Sequence, residues 1–200
     1  MAEIIPTRGA ALALAEDKRF LENGYEFLDE KRMLLAATLL KELENWRASR
    51  RSYDEAMTEA VARLKGAIGR HGLESLSLYP SSAGQATGLQ FRTRNFLGLG
   101  LLEVPDAGWK TPGPFEALDA SEVAEDCRRA FGELVPLAVR IAVHAQNIRR
   151  LIREYRATER RARALENVIL PETEQNLAAV TEALDESDQE EALRIRNARR

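Results

Sequence analysis

A single cysteine, Cys127, and two histidines, His71 and His144, leave this sequence of 200 residues little with which to build a thiol or metal centre. One cysteine excludes an intrachain disulfide and fits a reducing compartment. Neither histidine has a cysteine or histidine partner at metal-ligand spacing, so no metal site is expected. Cys127 has only Arg128 and Arg129 beside it and reads as a half-buried helix residue. The glycine-rich run at Gly98 lacks both the GxGxxG spacing and a GK[ST] ending, which removes the phosphate cradle of a nucleotide site. No catalytic constellation remains, and neither an enzyme nor a cofactor is expected. The longest strongly apolar run, Met33 to Leu40, falls far short of the ~20 residues that cross a bilayer. The first ten residues have neither the cationic start nor the apolar core of a secretory leader. The expectation is a soluble chain that meets membranes only through partners.

Aromatics are also scarce, at 6%, while 30% of the residues are charged. Alanine, leucine, glutamate and arginine dominate, a mixture typical of long helices and coiled coils. The net charge of −3 does not suit a general nucleic-acid binder. Lysine is rare beside arginine, 5 against 24, and arginine is the better residue for planar, bidentate contact with carboxylates.

Helical periodicity fills most of the chain. Pro6-Thr7 precedes a pattern that runs to about Ile68, with Thr7 a candidate cap. Leu21, Leu28 and Leu35 repeat at seven; after a shift of four, Leu39, Trp46, Tyr53, Ala60 and Ala67 continue at the same spacing. Leu43, Met57 and Leu64 fill the companion positions. The shift is a stutter, which locally straightens a left-handed supercoil. Gly24 lies inside this helix, and a close helix–helix approach would be one reason for it.

Glycines and prolines from Gly69 to Pro114 predict an end to that helix. Within this insert, Gln90–Phe96 and Leu99–Val104 read as strands joined at Leu97-Gly98, a β-hairpin that would need apolar cover. Asp119 with Glu122 makes a plausible capping box for a second helix. Its stripe includes Phe131, Leu134, Ala138 and Ile141, then Ala145, Ile148, Ile152 and Tyr155. It continues through Ala162, Leu165 and Ile169 to Leu177, Val180 and Leu184. Pro136 and Pro171 predict kinks, or a helix start just before Pro136. The fold expected is all-α dominated: a long antiparallel two-helix coiled coil with a small central insert containing a β-hairpin. The parts are an N-terminal coiled-coil helix over 1–68, a globular insert over 69–116 and a C-terminal coiled-coil helix over 117–200. At 1.5 Å per residue, helices of this size would make rods about 90–105 Å long.

Eight arginines and two glutamates lie between Arg140 and Arg163. Such a run can be the solvated face of a coiled coil, a surface for an acidic partner, or a helical arm on RNA phosphates. Acidic residues from Glu172 to Glu191 follow it, and alternating charge along a rod fits a surrounding sleeve of protein better than a polyanion.

Several segments together resemble the D subunit of the V-type (archaeal and bacterial A/V-type) rotary ATPases and ATP synthases. They are PTR at Pro6–Arg8, GYEFLDEKR at Gly24–Arg32, ERRARALENVILPETEQNL at Glu159–Leu177 and EEALRIRNARR at Glu190–Arg200. The likeness covers roughly residues 6–45 and 115–200, and within the insert mainly Arg94-Asn95 and Gly98. The sequence departs from the family pattern at Ala162-Arg163, at Ser187-Asp188-Gln189 and at Leu193. The resemblance implies a non-catalytic central rotor shaft that mechanically couples ATP hydrolysis or synthesis to proton or sodium translocation. It also implies a cytoplasmic position, peripheral to the membrane, within the soluble ATPase sector. The partners implied are the catalytic A and non-catalytic B subunits, the small F subunit of the rotor and the funnel-shaped C/d subunit. Arg8, Arg160, Arg161, Arg163, Arg194 and Arg196 are then the expected partner contacts. The alternative left open is a coiled-coil adaptor or RNA-binding helical arm.

Overall fold

The computed structural model describes residues 5–77, 91–104 and 121–198. Helix α1 spans Arg8–Ser77. Strands β1 (Thr93–Phe96) and β2 (Leu99–Leu102) form an antiparallel pair. Helix α2 spans Glu122–Ala164, a π-helical turn covers Leu165–Ile169, and α3 spans Leu170–Ala198. The chain divides into two compact units. Unit 1 contains Met1–Ala36 and Glu154–Arg200, and unit 2 contains Ala37–Arg153.

Thr7 caps α1 as its residue type suggests: its hydroxyl accepts the Ala10 amide at 3.1 Å and its carbonyl accepts the Ala11 amide at 3.0 Å. The helix does not stop at Gly69. It continues to Gly72, where φ 76° and ψ 161° interrupt it, and Leu73–Ser77 are helical again. One glycine costs a helix only ~1 kcal/mol, less than the packing around the buried Ala67 supplies, whereas a left-handed φ ends the ladder outright. A close helix approach does not explain Gly24, since a Cβ there would meet nothing within 4 Å.

In unit 1, cross-helix ion pairs fix an antiparallel arrangement. Lys31 meets Glu154 at 2.7 Å, Lys18 meets Glu174 at 2.9 Å and Arg8 meets Asp188 at 3.0 Å. Leu35, Thr158, Ala162 and Val180 are the buried residues of this unit among those described. In this unit the predicted stripe fails at Ile169: Ala162 is buried and Leu165 half-buried, but Ile169 is 41% exposed. The π turn is the cause. The Leu170 amide bonds to the Leu165 carbonyl, five residues back, so the inward positions step from Leu165 to Leu170 and then to Thr173, Leu177 and Val180. Pro171 explains the extra residue. It has no N–H, and its ring would press on the carbonyl four residues earlier, which a widened turn relieves.

In unit 2, Ala60, Ala130 and Leu134 form a buried cluster covered by Tyr53, Ala56 and Phe131. Helix α2 passes through Pro136 without starting there, contrary to one expectation. Burial of neighbouring Leu134 and Ala130 opposes the ~3 kcal/mol that an interior proline costs. The predicted capping residue Asp119 lies outside the described residues; Ser121 precedes the helix, and its carbonyl accepts the Glu125 amide at 3.0 Å. The inward stripe of α2 is Val143, Asn147 and Leu151, whereas Ala138 is exposed. Met57 sits at the edge of the α1 seam, at 36% exposure.

Candidate functional site

The hairpin sits where the sequence places it, slightly shorter. Thr93 faces Leu102, and Phe96 faces Leu99 across the Leu97-Gly98 turn. Both turn residues have positive φ, 51° and 83°, which is the type I′ geometry that matches the twist of paired strands. Glycine suits that region; leucine there strains the backbone by ~1–2 kcal/mol. The Asn95 side chain accepts the Gly98 amide at 3.1 Å and closes the turn.

Leu101 of β2 is buried, and polar anchorage comes from α2. Asn147, only 1% exposed, presents its amide edge to β2 as a peptide group would. Its Oδ1 accepts the Leu102 amide at 2.8 Å, and its Nδ2 donates to the Leu102 carbonyl at 2.8 Å. Arg150 donates to the Gly100 carbonyl one turn along. Gly100 must be small, since a Cβ there would come within 2.8 Å of Thr93 Cγ2. Neither Asn147 nor Arg150 emerges from a search for apolar periodicity. The available signal was a polar residue four positions from both Val143 and Leu151 on the inward face.

The arginines singled out in the sequence are all exposed. In unit 1, Arg160 and Arg161 carry no ion pair among the described residues, while Arg163 pairs with Glu159 on its own helix at 2.6 Å. Arg8 is engaged within the chain, its guanidinium bonded to both carboxylate oxygens of Asp188 at 3.2 and 3.0 Å. Arg194 lies 3.6 Å from Glu190, and Arg196 occupies the last turn of α3. The structure therefore groups Arg160, Arg161 and Arg163 on one stretch of helix and places Arg8, Arg194 and Arg196 elsewhere in the same unit. Exposed apolar residues occur in the same unit: Phe20 at 76%, Phe27 on the next heptad, and Val168 and Ile169 within the π turn.

His144 and Glu42 pair at 2.8 Å, both about one-seventh exposed, and His71 has its Nε2 buried without a partner among the described residues. Burial raises the Cys127 thiol above its ordinary 9.0, with the Arg63 charge a smaller opposing influence. Hydrogen bonding to Glu174 raises Lys18, and the Glu166 charge raises Tyr25; the first is an ion pair and the second a carboxylate beside a neutral phenol, both between α1 and the second half of unit 1. Among the described residues no cluster of His, Cys, Asp or Glu could hold a metal, and no helix is long and apolar enough to cross a membrane.

A family model for the D subunit of ATP synthase matches residues 10–200. The D subunit of a V-type ATP synthase from Anaeromyxobacter dehalogenans is 30% identical, covering 100% of this chain and 97% of that one. The D subunit of an A-type ATP synthase from Pyrococcus abyssi is 28% identical, covering 98% and 94%. The D subunit of a V-type ATP synthase from Thermotoga neapolitana is 25% identical, covering 96% and 95%.

Proposed function

Because the chain belongs to the ATP synthase D-subunit family, we propose that it is the central rotor shaft of a V/A-type ATP synthase, a non-catalytic component that couples ATP turnover to ion translocation. The observation that carries this reading is the family match across almost the whole chain, combined with paired helices that leave large apolar and arginine side chains outside. A shaft has to present different faces to equivalent surrounding sites, and it biases each of them only through differences in contact free energy. The A and B subunits would surround unit 1, where Arg160, Arg161 and Arg163 form an exposed basic stretch and Arg8, Arg194 and Arg196 add further contacts. The small F subunit of the rotor and the funnel-shaped C/d subunit would meet unit 2 and its hairpin. Attachment to the membrane, at its cytoplasmic side, would run through those two partners.

An adaptor or RNA-binding arm is less well supported. The arginine run is followed by an acidic stretch, and the family match leaves no residue beyond 10 unaccounted for. Co-expression with the ATPase subunits of the same genome tests the assignment. The expected result is a salt-stable complex whose ATP hydrolysis turns a probe fixed to this chain. Salt-sensitive RNA binding by the isolated chain, with no such complex, would replace the rotor reading with the arm.

A further inference from the structure

We propose that the outer edge of β1 is a strand-addition site, which takes an extended acidic segment of a neighbouring protein in the complex as the third strand of the sheet. The proposal rests on the rotor reading above, which supplies the neighbour.

Ladder phase decides which main-chain groups face outward. The Glu103 amide donates to the Arg92 carbonyl at 2.9 Å, so Arg92 and Glu103 are a hydrogen-bonded pair. In an antiparallel ladder the next pair, Thr93 and Leu102, is not hydrogen-bonded, and its N–H and C=O groups point away from each other. Leu102 agrees, since both of its main-chain groups go to Asn147. Arg150 takes the Gly100 carbonyl in the same way. The β2 edge is thus occupied by side chains of α2. On β1 the corresponding groups belong to Thr93 and Asn95, which are exposed and have no main-chain partner outside the hairpin among the described residues.

The chemistry of the edge selects its occupant. Arg92 and Arg94, two apart, stand on one face of the strand and are exposed, with no ion pair among the described residues. A second copy of the hairpin laid edge to edge would bring these charges together, which disfavours self-addition. An acidic strand would be drawn to the same place. Leu97 adds a further sign. It holds a φ of 51° where asparagine or glycine is the usual residue, so backbone preference does not account for leucine, and 38% of it is exposed. At the tip, beside the open edge, it can seat against an apolar residue of the incoming segment.

Amide hydrogen exchange at single-residue resolution, on the full chain alone and in the co-expressed complex, tests the edge. Thr93 and Asn95 should exchange freely in the isolated chain and slow by about tenfold or more on assembly, while Arg94, already bonded within the hairpin, changes less. The double variant Arg92→Glu, Arg94→Glu should weaken assembly by about tenfold at low salt. Leu97→Asn should make the isolated hairpin more protected and the assembly weaker, a combination that a purely structural leucine would not give. Protection of Thr93 and Asn95 in the isolated chain would mean that the chain covers its own edge, and overturns the proposal. So would equal exchange in both states, or wild-type assembly by the charge-reversed variant. Failure of the wild-type chain to assemble at all overturns the rotor reading and this proposal with it; assembly without protection overturns the strand edge alone.

Discussion

Gly24 and Cys127 show what single residues contribute to stability. Gly24 is an interior helix residue with open space where a Cβ would be, so Gly24→Ala adds no clash and removes unfolded-state freedom. The substitution should stabilise the chain by ~0.5–1 kcal/mol, read as a rise in the urea midpoint at unchanged slope. Cys127 controls one part of the response to alkali. Burial holds it as the neutral thiol, above its ordinary 9.0, so its contribution is complete below that value and is lost as pH rises through the raised one. Lys18 and Tyr25, raised from 10.5 and 10.0 by their acidic neighbours, act in the same direction at higher pH. The urea midpoint should therefore hold steady through neutral pH and fall above about pH 9, with Cys127→Ala losing the earliest part of the fall. A midpoint that climbed across that range would contradict the assignment.

The elements divide into those that heptad spacing reveals and those that depend on a second partner. Leu35, Ala60, Ala67 and Ala162 lie on the predicted seams and are buried, because a two-helix seam needs one apolar residue every three or four positions and little else. Asn147 was hidden because its burial makes sense only once β2 lies against it. The π turn was hidden for another reason. Pro171 announces a defect in the helix, but not whether the defect is a bend or an added residue. A direct test separates the two. Deleting Asn167 should restore an ordinary α turn and bring the proline ring against a carbonyl, costing ~3 kcal/mol. The same deletion combined with Pro171→Ala should cost far less, because the inward positions Ala162, Leu165 and Leu170 then fall into unbroken helical phase. Unfolding in urea measures both; equal losses in the two variants would show that the turn serves something other than the proline.

For the whole molecule, the rotor reading restricts how strongly any one surface group can hold its surroundings. A single deep contact would trap a shaft at one angle, so Arg160, Arg161, Arg163, Arg194, Arg196 and Arg8 should each contribute weakly. Rotation assays on single arginine-to-alanine variants should find less than about tenfold change in speed for each, as expected of exposed charges. One variant that stopped rotation in an otherwise intact complex would refute this distribution of contacts. The paired helices themselves were legible in outline, down to the hairpin turn. The side chains that decide which surface meets which neighbour were not, because an exposed arginine on a solvated face and one on a bearing face have the same local sequence.

The half-buried pairs Glu42–His144 in unit 2 and Lys31–Glu154 in unit 1 have a consequence beyond their own bonds. Seams of leucine and alanine look much alike after a slide of one heptad, and apolar packing alone penalises such slippage lightly. Sliding α1 by seven residues would set His144 opposite Leu35 or Ser49, and Glu154 opposite Gly24 or Thr38. Neither shift offers a charge of the right sign, and either would leave a carboxylate stranded in a half-buried seam. What these pairs supply is less adhesion than indexing: like the teeth of a ratchet cut at unequal intervals, they let the two helices engage at one setting only.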